Sequence, residues 1–523
     1  MESLPDHLPG LIQGLCAPGV LDDQGHVELV ETHISYVLLT DDYAYKIKKP
    51  VNLGFVDFSS LQKREYFCNE ELRLNRRFSG DLYIAVVKVT GSEQTPVING
   101  EGECLEYAVK MQRFSRNQEL GLLLRQQLVA NEKFWTFSVD LAHFHEMAEV
   151  ADKHSRFATL DALKQSEMEN FTHVSRNLNS PELLKRVEIL KHWTEASLAA
   201  KVELFDKRRQ QGRVRECHGD LHLGNLVMLK QKIVPFDCLE FNEDFRWIDV
   251  ASEIAFLLMD LKANGFDEYA RVVLNGYLEA SADFELVQLL RHYTVYRAMV
   301  RAKVACLRDA QTDEQSDLDA ELLKYLELAE QSEKRPFQGR IILTHGFSGC
   351  GKTWLSKQLL EVAELILIRS DIVRKSLHKL ETDKPAGSGV GQGHYAAAAR
   401  DEVYRVLLEH TESVVNAGYP VIVDATFLNK KQRMEFRNLS EDCGVPFQIL
   451  DIKASRDVLE SRIIAREEQG RDASEADLSV LAYQLKTAEP FATDEEPFVV
   501  EVNAEQQIDR PGLVLLAQQL DLR

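Results

Sequence analysis

The chain has 523 residues, of which 45% are hydrophobic and 28% are charged. These proportions exclude a mainly disordered or collagen-like protein. Lys and Arg number 62 against 83 Asp and Glu, giving a formal net charge of −21. Such an acidic chain repels a phosphate backbone, which argues against nucleic-acid binding. The eight cysteines are scattered, without a Cys-x-x-Cys pair, which argues against a disulfide framework or a zinc site.

The sequence has no segment with the character of a secretory signal or a membrane span. The N-terminus is acidic rather than basic, and no apolar run approaches the ~18 residues that a membrane helix needs. We therefore expect no membrane association and a cytoplasmic location. The sequence leaves the oligomeric state open.

The first part of the chain changes from strand-like to helical patterning. Strand-like runs lie between residues 27 and 112, and mostly helical patterns follow from about 117 to 330. A short strand-rich interruption lies at about 226–236. A sheet-rich lobe followed by a helix-rich lobe is the layout of a two-lobed kinase.

A dense group of polar residues lies at this interruption, in the segment His218-Gly219-Asp220-Leu221-His222-Leu223-Gly224-Asn225, with Asp237 twelve residues further on. This order places a base, an amide and a carboxylate around one metal–phosphate centre. Asp220 would accept the proton of a hydroxyl, and Asn225 and Asp237 would hold Mg²⁺, while His218 would brace the loop. The alternative is a set of ordinary turn residues that cap a hairpin.

This segment resembles the aminoglycoside phosphotransferase and choline kinase-like branch of the protein-kinase fold. By that resemblance, the strand around Lys46 carries the ATP-binding lysine, and Glu71 on the following helix is the carboxylate that pairs with it. Lys48 lies on the same strand face, and Glu70 is adjacent to Glu71, so both stay open as alternatives. Asp249 looks like the aspartate that starts a buried helix in that fold.

The sequence departs from the protein-kinase pattern in one respect. No Gly-x-Gly-x-x-Gly precedes Lys46, and residues 31–35 occupy that place. Small-molecule kinases of this fold often lack those glycines, so the departure argues against a protein kinase more than against ATP binding.

A polar stretch and a helical segment separate the two halves of the chain. Apolar residues recur at helical spacing from about Asp317 to Ser332, and Pro336 then breaks the pattern before a new strand-like run. We predict one domain at residues 1–335 and a second at 336–523. Strands and helices alternate in the second domain, which predicts a parallel sheet covered by helices. The predicted fold class is therefore two-domain α/β.

The second domain opens with a strand, a glycine-rich loop and a helix, the context of a phosphate-binding loop. The loop, which we expect to bind ATP, consists of Gly346, Phe347, Ser348, Gly349, Cys350, Gly351, Lys352 and Thr353. Its glycines let backbone N–H groups close around phosphates, and the helix N-terminus adds a favourable dipole. Lys352 would reach the β- and γ-phosphates, and the Thr353 hydroxyl would bind Mg²⁺. The alternative is a plain glycine-rich turn.

Two further strands of the second domain lead to acidic residues. The strand-like run at 365–368 is followed by Asp371, a candidate base for an acceptor hydroxyl, and by Arg374, which could hold substrate or phosphate. The alternative for Asp371 is a helix N-cap, and both interpretations can hold together. The run at 421–424 ends in Asp424, which is placed as a Mg²⁺ ligand should be.

A pair of arginines later in the domain suits a lid that closes over the nucleotide. Arg462 and Arg466 are four residues apart, so they share one helix face, and Gly470-Arg471-Asp472 follows. A solvated charged helix is the alternative.

Together these motifs resemble the P-loop kinase family of AAA-type ATPases that includes polynucleotide kinases, gluconate kinases and zeta toxins. The resemblance covers about residues 338–520. By it, Asp371 is the acceptor-activating base, while Arg462 and Arg466 contact nucleotide. The whole chain resembles bacterial two-domain proteins that fuse an aminoglycoside phosphotransferase-like domain to a zeta-toxin-like kinase domain.

The sequence thus predicts a bifunctional kinase that uses ATP and Mg²⁺ to phosphorylate small-molecule hydroxyl acceptors. Three alternatives remain open. In the first, only the P-loop domain is catalytic and the N-terminal domain is a binding or regulatory module. In the second, the protein is a nucleic-acid end kinase, against which the net charge of −21 weighs. In the third, it is a nucleotide-driven switch that transfers nothing.

Overall fold

The computed structural model describes residues 8–21, 27–54, 56–309, 315–334, 338–382, 394–469 and 477–522. It divides into two compact units. Unit 1 comprises Met1–Lys133, Phe144–Glu169 and Glu195–Asp260, and unit 2 comprises Phe134–His143, Asn170–Thr194 and Leu261–Arg523. The predicted boundary at Pro336 and the segment Gly470-Arg471-Asp472 lie outside the described residues. The division at 335/336 stays a prediction.

An antiparallel sheet and one long helix form the first part of unit 1. In chain order the elements are α1 (Gly10–Leu15), β1 (Glu28–Glu31), β2 (Ser35–Leu39), β3 (Tyr43–Lys48), α2 (Leu61–Ser79), β4 (Tyr83–Gly91), β5 (Pro96–Ile98), β6 (Glu106–Gln112) and α3 (Leu120–Arg125). The strands lie in the order β1-β2-β3-β6-β4-β5. Tyr45 and Ile47 of β3 pack into one apolar cluster, and Ala44 packs into another. Because successive side chains alternate, Lys46 and Lys48 share the face of Ala44.

Helices dominate the next part of the chain, as the sequence predicts. The elements are α4 (Asn131–Met147), α5 (Leu160–Asn177), α6 (Pro181–Ala200), α7 (Val202–Gln210), β7 (Val214–Glu216), β8 (Leu226–Leu229), β9 (Lys232–Pro235), α8 (Glu243–Arg246), β10 (Trp247–Asp249) and α9 (Val250–Ala263). The hairpin of β8 and β9 is the predicted interruption. Asp249 lies directly before the buried helix α9, accepts the Ala251 N–H at 2.8 Å and pairs with the buried Arg208 guanidinium at 2.8 Å.

A five-stranded parallel sheet forms the core of unit 2. The remaining elements are α10 (Asp267–Ser281), α11 (Val287–Asp309), α12 (Gln315–Lys334), β11 (Arg340–His345), α13 (Lys352–Val362), β12 (Ile366–Arg369), α14 (Ser370–Thr382), α15 (His394–Asn416), β13 (Pro420–Asp424), α16 (Lys430–Asp442), β14 (Phe447–Lys453), α17 (Arg456–Gln469), α18 (Leu478–Thr487), β15 (Val499–Asn503) and α19 (Arg510–Gln519). The strand order is β12-β13-β11-β14-β15, and every pair is parallel.

The parallel sheet explains why its strands appear in the sequence as continuous apolar runs. All five residues of β13 are buried, as are the four of β12, because helices cover both faces of such a sheet. The carboxyl ends of parallel strands lie at one edge, which brings the loops after β11, β12 and β13 together. The predicted two-domain α/β class with a C-terminal parallel sheet is confirmed. Within the described residues, no helix has both the length and the apolar character to cross a bilayer.

Candidate functional sites

The polar segment of unit 1 forms a tight loop between β7 and β8. Asn225 donates from Nδ2 to the Asp220 carbonyl oxygen at 2.9 Å and to its carboxylate Oδ2 at 3.1 Å. His222 Nε2 lies 3.4 Å from the same carboxylate. The structure therefore brings the predicted base and the predicted amide ligand into direct contact.

His218 braces this loop, as predicted. Its ring Nε2 lies 2.9 Å from the Phe236 carbonyl oxygen, and the Asp220 N–H lies 3.3 Å from Nδ1. Burial lowers the pKa of His218, which favours the neutral ring that can accept at Nδ1 and donate at Nε2. The neighbouring Gly219 has φ +87°, and a Cβ there would lie 2.9 Å from the Phe245 carbonyl oxygen, so this tight turn requires glycine.

Two carboxylates of α9 hold the loop from behind, and the sequence analysis missed both. The carboxylate of Glu253 accepts the His218 N–H at 2.6 Å and the Gly219 N–H at 3.0 Å. Asp260 accepts the Leu223 N–H at 2.9 Å. The available signal was two acidic residues in an otherwise apolar helix, because a buried carboxylate needs hydrogen-bond partners.

The two lysines of β3 both contact Glu71, which is fully buried on α2. Lys46 Nζ lies 2.9 Å from Glu71 Oε1 and also contacts the Asp237 carboxylate. Lys48 Nζ lies 2.7 Å from Glu71 Oε2 and also contacts the Glu240 carboxylate. The Lys48 side chain is 1% exposed and the Lys46 side chain 14%. Lys46 is therefore the lysine that adjoins the predicted metal residue, and Lys48 is enclosed.

The alternative carboxylate Glu70 does not join this cluster. It pairs instead with Arg73 of α2 at 2.9 Å and lies 3.7 Å from the buried Arg246 guanidinium.

Electrostatics in this buried cluster follow from three carboxylates around two ammonium groups. Burial alone would raise the pKa of Glu71, but Lys46 and Lys48 outweigh it and hold this pKa at about 2. Burial would lower the pKa of Lys46, yet the carboxylates of Asp237 and Glu71 raise it well above its ordinary value. Burial raises the pKa of Glu240 in spite of Lys48. Three carboxylates thus face two ammonium groups in this cluster.

Asp237 has an unusual backbone. Its φ is +61°, a region that non-glycine residues adopt at a cost and that is common at functional sites. Its N–H donates to the Tyr83 hydroxyl at 3.0 Å, a support that the sequence analysis missed. The side chain is 44% exposed. Its oxygens and those of Asn225 are the hard ligands that suit Mg²⁺.

The predicted phosphate-binding loop of unit 2 connects β11 to α13. Gly346, Gly349 and Gly351 have φ values of +145°, +85° and +99°, in the region that favours glycine. Lys352 Nζ donates to the carbonyl oxygens of Gly346 at 3.0 Å and Phe347 at 2.9 Å. The carbonyl oxygens of the loop thus face the ammonium group of its own lysine.

The predicted Mg²⁺ ligands of unit 2 are in direct contact. The Thr353 hydroxyl donates to Asp424 Oδ2 at 2.5 Å. Burial raises the pKa of Asp424, while Lys352, Thr353 and Arg369 oppose that rise. A buried carboxylate beside a hydroxyl is an oxygen donor set that fits Mg²⁺. Arg369, whose Nε lies 3.8 Å from Asp424 Oδ2, was missed by the sequence analysis.

The candidate base of unit 2 lies in the first turn of α14. Asp371 contacts the Arg374 guanidinium three residues later, so the predicted base and the predicted anion-binding arginine form an ion pair in this structure. The Asp371 carboxylate also raises the pKa of Asp424.

Two residues of α17 and α18 reach the phosphate-binding loop. Arg462 donates from Nη1 to the Cys350 carbonyl oxygen at 3.2 Å, and Arg466 lies about one turn later on α17. The Gln484 carboxamide accepts the Ser348 N–H at 2.9 Å and donates to the Ser348 hydroxyl at 3.0 Å. The role of Gln484 was not predicted, since no local pattern marks a single glutamine.

Comparisons with known proteins find two family matches and several similar proteins. Residues 139–290 match the phosphotransferase enzyme family, and residues 341–491 match the AAA domain family. An uncharacterized protein of Mycobacterium tuberculosis is 27% identical over 472 residues, which covers 90% of this chain and 92% of that protein. A gluconokinase from Sinorhizobium meliloti 1021 is 22% identical and covers 36% of this chain and 98% of that chain, with a TM-score of 0.25. Amicoumacin kinase hAmiN in complex with AMP-PNP, Ca²⁺ and Ami is 14% identical and covers 64% and 95%, with a TM-score of 0.39.

The chain therefore contains one stretch that matches the phosphotransferase enzyme family and one that matches the AAA domain family, and the predicted resemblance to a phosphotransferase domain followed by a P-loop kinase domain is confirmed. These two matches support a phosphotransferase and imply the use of ATP.

Proposed function

We propose that the protein is a bifunctional ATP-dependent phosphotransferase that phosphorylates small-molecule hydroxyl acceptors at two Mg²⁺–nucleotide sites. The observation that carries this proposal is the contact between predicted base and predicted ligand in unit 1, where Asn225 Nδ2 lies 3.1 Å from Asp220 Oδ2. The contact between Thr353 and Asp424 at 2.5 Å supports a second site in unit 2. We propose that the two activities belong to residues 1–335 and 336–523.

In the site of unit 1, Asp220 accepts the proton of the acceptor hydroxyl as its oxygen bonds to the γ-phosphorus of ATP. The bond from that phosphorus to the β–γ bridging oxygen breaks, and ADP leaves. Lys46, which is paired with Glu71 at 2.9 Å, neutralises phosphate charge. Asn225 and Asp237 would hold Mg²⁺, which neutralises charge that develops on the phosphates.

In the site of unit 2, Lys352 and the loop amides bind the phosphates, and Thr353 and Asp424 would hold Mg²⁺. Asp371 accepts the acceptor proton. Three arginines complete the phosphate environment, and they are Arg374, Arg462 and Arg466. Most of the rate enhancement in both sites comes from positioning and charge neutralisation, because phosphoryl transfer asks for little covalent chemistry from the protein.

The second candidate function is a protein in which only the P-loop domain is catalytic and unit 1 binds or regulates. The absence of a glycine-rich motif before Lys46 favours it, since residues 31–35 lie at that place in the sequence. In this case the unit 2 acceptor is a small molecule or a nucleic-acid end, or unit 2 is a nucleotide switch.

The experiment is phosphoryl transfer from γ-labelled ATP, with Mg²⁺ and a small-molecule cell extract, by the full-length protein. Asp220→Asn and Lys352→Ala are the test variants. Asp244→Asn, at an exposed position of α8, and Lys357→Ala, on the same helix as Lys352, are matched controls. Two labelled species, each lost in one test variant and kept in both controls, are expected. Label lost only in Lys352→Ala favours the second candidate function, and ATP hydrolysis without a labelled acceptor favours a switch.

A further inference from the structure

Helix α10 lies within the stretch that matches the phosphotransferase family, yet it belongs to unit 2 together with the parallel sheet. Three polar residues, Arg271, Asn275 and Glu279, are spaced four apart and share one face of this helix. Each of them bonds to a different part of the P-loop core. This face is therefore a built contact and not a solvated surface.

Arg271 caps the helix that begins at the phosphate-binding loop. Its guanidinium donates to the carbonyl oxygens of Leu360 at 2.8 Å and Glu361 at 2.7 Å. These carbonyls belong to the last turn of α13, where no partner within the helix is available. A positive charge at this end is also favoured by the helix dipole.

The Asn275 side chain makes hydrogen bonds that a neighbouring strand would otherwise make at the outer edge of the sheet. β12 is the terminal strand, so one side of its backbone needs partners from outside the sheet. The Asn275 carboxamide donates to the Leu365 carbonyl oxygen at 3.0 Å and accepts the Leu367 N–H at 2.8 Å. Asn275 is 1% exposed, so the hydrogen bonds that join α10 to β12 are shielded from water.

Glu279 reaches the end of β12 that faces the active site. Arg369 Nη1 lies 3.0 Å from Glu279 Oε1, and Arg369 Nε lies 3.8 Å from Asp424 Oδ2. That Asp424 oxygen is the one that accepts the Thr353 hydroxyl. One buried guanidinium is thus shared between a carboxylate of α10 and the carboxylate that we assign to Mg²⁺.

We propose that Glu279 is a positioning residue for the P-loop site. By sharing the Arg369 guanidinium, Glu279 limits its pairing with Asp424 and keeps that carboxylate competent to hold Mg²⁺. Without Glu279, the buried Arg369 guanidinium no longer divides its charge between these two carboxylates and pairs more strongly with Asp424 Oδ2, so the arginine and a cation compete for one oxygen. This inference rests on the proposed function of the P-loop site.

The test is the Mg²⁺ dependence of ATP binding by the full-length protein. Only the share of ATP binding that is lost in Lys352→Ala is counted, because that share belongs to the P-loop site. Glu279→Gln is expected to raise the Mg²⁺ concentration for half-maximal binding by about tenfold. The matched control is Glu268→Gln, which removes a carboxylate from the same helix where it pairs with Arg510 at 2.8 Å; it leaves the Mg²⁺ dependence unchanged. The double variant Glu279→Gln/Arg369→Gln recovers most of the loss, because the competing charge is gone.

A second readout needs no nucleotide. The NMR signals of the Arg369 guanidinium, assigned through Arg369→Gln, are expected to shift in Glu279→Gln, because the guanidinium then pairs more strongly with Asp424, and to match the wild type in Glu268→Gln. An unchanged Mg²⁺ dependence in Glu279→Gln, unchanged Arg369 signals, or a double variant worse than either single variant overturns the proposal. If Lys352→Ala removes no ATP binding, the proposed function of the site is wrong, and the Arg369 signals decide on Glu279 by themselves.

Discussion

Substitution by methionine is expected to have different consequences at the two lysines of β3. Lys48→Met leaves the buried Glu240 carboxylate without its ammonium partner, while Glu71 keeps Lys46 at 2.9 Å. Removal of one member of a buried ion pair destabilises a protein by about 3–5 kcal/mol. For a unit of this size we expect a fall in Tm of about 10 °C. Lys46→Met, at the more exposed position, is expected to lower ATP binding with a smaller effect on Tm.

The assay is scanning calorimetry of the full-length variants alongside ATP binding. Because burial raises the pKa of Glu240, the uncompensated carboxylate can take up a proton as the pH falls, so the Tm loss in Lys48→Met is smaller at pH 5 than at pH 8. A Lys48→Met variant that keeps its Tm and loses ATP binding, with Lys46→Met unaffected in binding, would refute the assignment of the two roles.

Three further substitutions test other parts of the structure. The pKa of Glu71 is lowered to about 2, so its contribution to the free energy of unfolding is present above pH ~4.5 and is lost as the pH falls through 2. Between these pH values, the free energy of unfolding of the wild type should fall by about 3 kcal/mol more than that of Glu71→Gln. Gln484→Glu places a negative charge at the Ser348 amide, and isothermal titration should show about tenfold weaker ATP binding than in Gln484→Ala. Asp249→Asn removes the negative charge that pairs with the buried Arg208 guanidinium at 2.8 Å, and thermal unfolding should show destabilisation of about 3–5 kcal/mol.

Much of unit 2 could be predicted because its signals are local. The predicted strand at 421–424 is observed as Pro420–Asp424, since a strand buried on both faces is an apolar run that ends where polar residues begin. The contact of Thr353 with Asp424 follows from the same logic, because parallel strands place their carboxyl ends at one edge. In unit 1, the spacing from Asp220 to Asn225 is short enough for a single loop to bring the two side chains together.

The partners that hold these sites in place could not be predicted. Glu253 lies 35 residues from His218, whose N–H it accepts, and Glu279 lies 90 residues from Arg369. Periodicity shows which face of a helix is buried but not which distant group it meets. An acidic residue in an apolar helix signals that a partner exists; only the packed structure identifies it.

The carboxylates of the unit 1 cluster give a last prediction. In unit 1, the carboxylates of Glu71, Asp237 and Glu240 surround two ammonium groups, and Asp237 is the one that is 44% exposed. Asp237 is thus the carboxylate of this cluster that a cation can reach from solvent. A cation that binds the folded state alone stabilises it by mass action, by about 2.7 kcal/mol at one hundred times its Kd. Millimolar Mg²⁺ without nucleotide is therefore expected to raise the Tm of the full-length protein, and Asp237→Asn, which removes the charge but keeps the shape, abolishes the part due to unit 1. If Mg²⁺ raises the Tm of Asp237→Asn as much as that of the wild type, the Asp237 carboxylate does not attract the ion, and the site of unit 1 acquires Mg²⁺ only together with ATP.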